Sequence, residues 1–167
     1  MSKAAKGVAG GAIALAVGIV AYFEGYVPKT YIDPIGIPTS CFGHVGPENT
    51  PGRRFTRAEC EALLTSDLAT ANAIVHRCIK APMLPHQEAA LTSFAYNVGA
   101  GRKGVKDGLC VLKNGNQPRI RRFANAGNWA EACAGLDDWI RAGGIKLRGL
   151  VKRRAAERRM CETGSWA

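Results

Sequence analysis

The chain has 167 residues, a hydrophobic fraction of 47% and a formal net charge of +10. This length fits one domain or a lobe of a larger protein, and this hydrophobic fraction provides a real core, which argues against a disordered chain. The positive charge favours an anionic partner, and it leaves nucleic acid, anionic lipid and an acidic polymer such as a cell wall as open classes.

The first predicted element is an uncharged segment of nearly membrane length. Residues 7–23 contain no charged side chain and are rich in Gly and Ala. As a helix they would span about 25 Å, slightly less than a hydrocarbon core of about 30 Å. Lys3 and Lys6 precede the segment and favour a cytoplasmic N-terminus with the rest of the chain exported. Because few of its residues strongly favour insertion, we expect insertion to be marginal.

Four interpretations of this segment stay open. It is a cleavable signal peptide with a small-residue site at residues 14–16, a stable anchor, an anchor that can leave the bilayer, or a core helix of a soluble protein. Its length and the preceding lysines favour export over a core helix. Cleavage after Ala16 would leave Glu24 close behind the new terminus, which speaks against a signal peptide.

A small β-hairpin is predicted directly after the segment. Gly25 and Pro28 are helix-stop signals. Residues 29–45 place short apolar runs between turn residues, which is typical of short strands. Pro38 has no backbone N–H, so we expect an irregular strand around Thr39.

Helical periodicity dominates the remainder of the chain. A capping box from Thr56 to Glu59 predicts the start of a long amphipathic helix over residues 57–77. Gly143 and Gly144 are interpreted as the stop signal of a later helix. Three further helices are predicted over residues 86–98, 129–142 and 149–161. The residues therefore predict a mostly helical domain with a small β lobe near its N-terminus.

The six cysteines all lie beyond residue 40. Their even number favours three disulfides and an oxidising compartment, with six free thiols in a cytosolic protein as the alternative. No CxxC pair or His/Cys cluster has zinc spacing, so we expect no metal. Spacing does not select a pairing, and our expectation is Cys41–Cys60, Cys78–Cys110 and Cys133–Cys161. The first would tie the loop after Thr39 to the next helix.

Two carboxylates at short spacing form a candidate glycosidase site. Hydrolysis of a glycosidic bond needs one protonated carboxyl to expel the leaving sugar and a second carboxylate on the opposite face. Glu24 at a helix end and Asp33 at a hairpin turn fit these roles, and Thr39 on the returning strand would hold the water. Considered alone this pattern is weak, because acidic residues at helix ends and Asp-Pro turns are common structural features.

The order of the motifs resembles phage-type lysozymes, glycoside hydrolase family 24. Glu24, Asp33 and Thr39 match the active-site signature of that family in identity and in spacing. Segments that resemble its later motifs cover residues 56–64, 93–101, 139–144 and 149–158, and the likeness spans roughly residues 22–166. The resemblance implies a lysozyme-like α+β fold and a muramidase, without a cofactor, that cleaves the β-1,4 bond between N-acetylmuramic acid and N-acetylglucosamine in peptidoglycan.

The resemblance also implies roles for individual residues. Glu24 would be the general acid, Asp33 would stabilise positive charge or help to activate water, and Thr39 would orient that water, which gives inversion. Asn97 would contact the sugars, with a capping or buried amide as the alternative.

A further pair follows from the same resemblance. His44 would pair with a helix carboxylate, here Asp67, in a structural role.

The first 23 residues resemble the signal-anchor-release segments of certain phage endolysins. The resemblance implies that residues 1–23 are such a segment and form the N-terminal helix after release. Residues 24–167 would be the muramidase domain, with the active-site helix end and β lobe in 24–55 and a helical lobe in 56–167. We expect a monomer that is tethered to the periplasmic side of the host inner membrane through residues 7–23 and then enters the periplasm.

Two alternatives to this function remain. The first is a secreted lysozyme whose signal peptide is cleaved. The second is a non-catalytic cationic protein that binds membrane or nucleic acid, for which the arginines of residues 148–159 are the best support, whereas the lysozyme interpretation involves no nucleic acid.

Overall fold

The structure is a computed structural model that describes the backbone of residues 3–167 and the side chains of residues 11–167. The side chains of Lys3 and Lys6, on which the expected orientation in a membrane depends, lie outside this part. The first helix, α1, runs over Lys3–Glu24. It buries one face completely, through Ala12, Ala16, Ile19 and Val20. These positions follow helical spacing, so a face of alanine and β-branched side chains packs α1 into the core.

Gly25 ends α1 and turns the chain into the β lobe. Its φ of +73° lies in the left-handed region, and its N–H donates to Ala21 O at 3.2 Å. Strands β1 (Val27–Ile32) and β2 (Pro38–Cys41) then pair antiparallel, as the sequence predicts. Pro38 is the first residue of its strand, where a missing N–H is tolerated. The register shift lies instead between Val27 and Tyr31, so the expected irregularity falls in β1.

The helical lobe is built around one buried helix. Helix α2 covers Arg57–Cys78 and starts at the predicted capping box, in which Thr56 Oγ1 accepts from Glu59 N at 3.2 Å. Helix α3 covers Pro85–Val98, and its residues 87–95 are buried without interruption. Helices α1, α2 and α6 (Arg148–Thr163) all pack against α3. The lysozyme-like α+β class is thereby confirmed.

The predicted helix over residues 129–142 is wrong beyond its first turns. Helix α5 covers Trp129–Ala134 and continues as a 3₁₀ turn over Gly135–Asp138. Short strands β3 (Arg141–Ala142) and β4 (Ile145–Lys146) then pair. Gly143 and Gly144 have φ values of +56° and +80° and form the turn of this hairpin, because a tight two-residue turn of this kind requires positive φ at both positions. Helix α4 (Arg119–Asn125) was not predicted.

The disulfides tie the helical lobe together and attach the β lobe to it. The structure contains the expected pairs Cys41–Cys60, Cys78–Cys110 and Cys133–Cys161, with Cα–Cα distances of 5.1, 5.1 and 5.7 Å. Their Cα separations fall in the ordinary range for such bonds. Within the described residues, no helix has both the length and the apolar character of a membrane span.

Candidate active site

A cleft of about 430 Å³ lies between the β lobe and helices α2 and α3. Its wall is formed by Glu24, Gly43, Val45, Asp67, Thr70, Ala71, Ile74, Ala95, Tyr96, Asn97 and Gly99. The wall is mixed in character, with two carboxylates, an amide and a phenol among apolar residues. A cleft of this composition suits a polar ligand with some apolar surface, such as a sugar chain.

Glu24 lies at the end of α1, where the helix meets the cleft. Its side chain is 23% exposed, and its Oε1 accepts a hydrogen bond of 2.6 Å from Arg153 Nη1. Its Oε2 lies 3.2 Å from the point where a Cβ on Gly43 would be. Gly43 therefore leaves room for the carboxylate. One oxygen of Glu24 is held by a cation, and the other remains for a ligand.

Arg153 belongs to a buried network of two arginines and two glutamates. Its Nε contacts Glu157 Oε1 at 3.1 Å, and Glu157 Oε1 also accepts from Ser93 Oγ at 2.7 Å. Arg154 Nε lies 3.1 Å from Glu157 Oε2, in ion-pair contact without the alignment of a hydrogen bond. The four charges sum to zero, which suits a site where Arg154 and Glu157 are fully buried.

The two arginines respond to this environment in opposite directions. Burial opposes the charge of Arg153, but Glu157 and Glu24 outweigh it and raise the pKa of Arg153. Burial lowers the pKa of Arg154, against the attraction of Glu157. The difference indicates that Arg153, which contacts both glutamates, is the better compensated cation.

Tyr96 connects the β lobe to α3 beside Glu24. Its hydroxyl donates to Phe42 O at 2.8 Å. Burial and, after it, the charge of Glu24 raise the pKa of the Tyr96 phenol. The phenol therefore stays a neutral donor over the whole physiological range, and it fixes the turn that carries Gly43.

Asp33 and Thr39 lie in the hairpin and form their hydrogen bonds within it, whereas Glu24 is bonded to Arg153. Asp33 Oδ1 accepts from Ile35 N at 2.9 Å and from Ile37 N at 2.8 Å, so one oxygen organises the turn. Thr39 is buried in β2 and donates from Oγ1 to Ile37 O at 3.1 Å. Neither residue belongs to the cleft wall named above, although the hairpin that carries them returns to Glu24 through Gly43.

His44 lies directly after this turn and contacts two carboxylates. Its Nδ1 is 2.7 Å from Asp67 Oδ2, the contact that the resemblance implies, and its Nε2 is 3.0 Å from Glu48 Oε1. The pKa of Glu48 is lowered, mainly by its own backbone N–H and then by the charge of His44. These contacts fasten the β lobe to α2 at one edge of the cleft.

Asn97 lies at the end of α3, on the cleft wall. Its Oδ1 accepts from Arg154 Nη2 at 2.7 Å, while the residue as a whole is exposed. The Arg154 contact fixes the orientation of the amide, so that Nδ2 is the group left to donate. The described residues contain no group of three or more His, Cys, Asp or Glu that would hold a metal ion.

Sequence reasoning missed Arg153, Tyr96, Gly43 and Glu48. Arg153 and Glu24 are separated by 129 positions, and no local pattern joins them. Arg153 lies within one of the segments that resemble the family's later motifs, but among several arginines only the fold shows which one meets Glu24.

The fold and this cleft define a lysozyme-like glycoside hydrolase. The chain matches the Phage lysozyme family over residues 21–157 and belongs to that family. The chain is 37% identical to the SAR-endolysin of Bacteriophage PS119, over 94% of this chain and 90% of that protein.

Two further comparisons agree with this family membership. The SAR-endolysin of Enterobacteria phage P21 is 36% identical to this chain, over 96% of it and 93% of that protein. The crystal structure of the active form of P1 phage endolysin Lyz is similar with a TM-score of 0.77 and 27% identity, over 90% of this chain and 84% of that chain.

Proposed function

We propose that this protein is a phage endolysin that hydrolyses the β-1,4 bond between N-acetylmuramic acid and N-acetylglucosamine in peptidoglycan and so lyses the host cell. The observation that carries the proposal is the position of Glu24. Its carboxylate lies on the cleft wall with Oε1 held by Arg153 and Oε2 beside Gly43. The similarity to two SAR-endolysins over most of their length supports the same function.

In this proposal Glu24 is the general acid. The proton leaves from Oε2, because Oε1 already accepts from Arg153. It passes to the glycosidic oxygen as the bond to the anomeric carbon breaks, so the leaving sugar departs as an alcohol. Arg153 keeps the carboxyl in one orientation during this transfer, and it neutralises the carboxylate that remains.

Asp33 and Thr39 act on the opposite face of the sugar. Asp33 Oδ1 is occupied by two backbone amides, so Oδ2 is the oxygen that takes a proton from the attacking water. The Thr39 hydroxyl donates to Ile37 O, and its oxygen keeps lone pairs that accept a hydrogen from the same water. The water oxygen bonds to the anomeric carbon from the side opposite the leaving group, which inverts its configuration.

Asn97 contributes to binding of the sugar chain. Arg154 fixes its Oδ1, and Nδ2 then donates to an oxygen of the substrate. This donor is pre-oriented, so binding does not have to order it.

The assay that tests the catalytic proposal is digestion of purified cell walls. Glu24→Gln should lower the rate by about 10²- to 10⁴-fold, the usual contribution of a general acid, whereas Glu61→Gln, on an exposed position of α2, should leave it unchanged. An active Glu24→Gln enzyme would contradict the assignment of Glu24 as the general acid. Lysis of cells by a Glu24→Gln variant that does not digest walls would favour the non-catalytic cationic alternative.

A second experiment tests the stereochemistry. The anomeric configuration of the first product, followed by NMR, decides between inversion and retention.

We also propose that residues 1–23 export the protein as a membrane anchor and activate it on release. The support is that α1 is continuous to Glu24 and buries one face in the core. The Gly and Ala residues that make up much of residues 7–23 add little to insertion into a bilayer, so the segment also suits a core helix. While the segment spans the bilayer, Glu24 stays at the interface. After release, α1 docks and brings Glu24 to the cleft.

Two measurements test this mode of activation. Membrane-bound protein should digest walls more slowly than the same protein after release, and equal rates would rule the mechanism out. N-terminal sequencing of the exported protein should find Lys3 and Lys6 retained. Loss of both would favour the secreted lysozyme with a cleaved signal peptide, although cleavage after Ala16 would remove the buried Ala12 and Ala16 from α1.

A further inference from the structure

The segment after α6 folds back onto α1. Gly164 ends α6 with a φ of +83°, and its N–H donates to Met160 O at 2.9 Å. A left-handed residue at this position reverses the chain direction. Trp166, two residues later, lies against α1 rather than in solvent.

Trp166 rests on a glycine of α1. A Cβ on Gly18 would lie 3.7 Å from Trp166 Nε1 and 3.8 Å from Cζ2. Glycine is unfavourable inside a helix relative to alanine, and here it leaves a flat seat for the indole. Tyr22 lies one turn further along the same face, with its ring centroid 5.3 Å from that of Trp166.

A continuous series of contacts leads from this seat to Glu24. The rings of Tyr22 and Phe23 meet edge to face at 5.1 Å. The guanidinium of Arg153 lies 5.8 Å from the centre of the Phe23 ring and donates to Glu24 Oε1 at 2.6 Å. The last turn of α1 and Arg153 therefore both connect Trp166 to the carboxylate.

The last turn of α1 borders an open groove on this side. Tyr22 is 69% exposed, although it packs on the indole. An open groove of about 700 Å³ separates Tyr22 and Phe23 from the α6 side chains Lys152, Ala155, Ala156 and Arg159. Trp166 borders the same groove and spans from α6 to α1 across it. Its indole therefore supports Tyr22 on the side of the last turn that faces the groove.

We propose that Trp166 is a positioning residue for the reaction, which holds the end of α1 so that Glu24 reaches the glycosidic oxygen. It touches neither the substrate nor Glu24 and acts through Tyr22, Phe23 and Arg153. The proposal rests on the proposed function of Glu24 as the general acid. A small displacement of a catalytic group lowers the rate of the chemical step by up to about 100-fold without weakening binding.

The test compares purified full-length Trp166→Ala, Trp166→Phe and Trp129→Ala on peptidoglycan. Trp129 is a partly buried tryptophan of α5, a helix that packs mainly against α4 and α6, so it controls for the loss of an indole. We expect Trp166→Ala to lower kcat by about 10- to 100-fold with KM unchanged, and Trp166→Phe to restore most of kcat. Trp129→Ala should lower the melting temperature but keep kcat per folded molecule. Equal kcat for both alanine variants would overturn the proposal.

A second pair of variants keeps the proposal testable if Trp166→Ala does not fold. Gly18→Leu retains the indole but fills its seat, so kcat should fall as in Trp166→Ala. Gly18→Ala places a methyl group at ordinary contact distance, 3.7 Å from the indole, and should keep kcat. A fully active Gly18→Leu enzyme would also overturn the proposal. An active Glu24→Gln enzyme, in contrast, would refute the proposed function itself.

Discussion

Arg153 donates a 2.6 Å hydrogen bond to Glu24, so helices from opposite ends of the chain meet at the candidate acid. The same guanidinium contacts Glu157 at 3.1 Å inside the core. Orientation of the acid and integrity of the core therefore depend on one side chain.

Arg153→Met should lower both stability and activity. The substitution leaves Glu157 buried without its best partner, and loss of one member of a buried pair costs about 3–5 kcal/mol. Arg153→Lys should be intermediate, because a lysine keeps the charge but cannot bond two carboxylates through one planar group. Urea denaturation and wall digestion measure the two effects. Arg148→Met, at an exposed position of the same helix, should change neither, and an equal effect there would contradict the role of Arg153.

Gly43→Ala should impair activity more than stability. The new Cβ would lie 3.2 Å from Glu24 Oε2 at a residue whose φ is +85°. Gly52→Ala is the matched control, because Gly52 has a φ of +80° with no atom within 4 Å of the new Cβ. Both variants should lose about 1–2 kcal/mol from backbone strain, measured by urea denaturation. Only Gly43→Ala should lose wall digestion. Equal activities would show that this close approach to Glu24 does not matter.

Tyr96→Phe should destabilise the protein by about 1–3 kcal/mol, since Phe42 O loses its hydrogen-bond donor in a partly buried site. Burial raises the pKa of Tyr96 above its ordinary value of 10.0. A raised folded pKa gives stability that is complete below the unfolded pKa and is lost as the pH rises. The difference between wild type and variant should thus stay constant from about pH 6 to 9 and shrink above about pH 10.

Tyr26→Phe is the control for the loss of a phenol, because Tyr26 is 38% exposed. Thermal denaturation at each pH provides the comparison. A Tyr26→Phe variant with the same loss, or a Tyr96 difference that grows above pH 10, would contradict this account.

Glu59→Gln should lower the melting temperature at neutral pH and have little effect in acid. The backbone N–H and then the hydroxyl of Thr56 lower the pKa of Glu59 below its ordinary value of 4.5. A lowered folded pKa gives stability that is present above the unfolded pKa and is lost as the pH falls through the folded value. Glu61→Gln, two residues further along α2 and outside the cap, should show a smaller change across the same pH series.

The elements that depend on local sequence could be predicted well. The capping box from Thr56 to Glu59 predicts the start of α2, and turn residues predict the β1–β2 hairpin. Gly143 and Gly144 form a hairpin turn and not the predicted helix stop, because a glycine pair ends a helix and turns a hairpin equally well. Which role it takes depends on whether the preceding residues continue the helix, and here residues 135–138 form a 3₁₀ turn that packs against α6.

The candidate site could be predicted only where its residues are close in sequence. Glu24, Asp33 and Thr39 form a pattern that is visible within one short stretch. Arg153 contributes as directly to Glu24, but it meets that residue only after α6 has packed beside α1. The sequence of the uncharged segment before Glu24 does not distinguish a membrane anchor from a core helix, because a protein core and a bilayer select similar apolar side chains.

The three disulfides join residues between Cys41 and Cys161, and none includes α1. Everything that holds α1 in place is therefore noncovalent. In the proposed release mechanism, departure of α1 would be a local opening whose free energy is set by packing at positions such as Ile19 and by the Arg153 contact. Oxidation of the six cysteines cross-links the body of the protein and leaves the attachment of α1 unchanged. In an oxidising compartment the body would therefore be stabilised covalently, whereas the position of α1 would still be set by its packing alone.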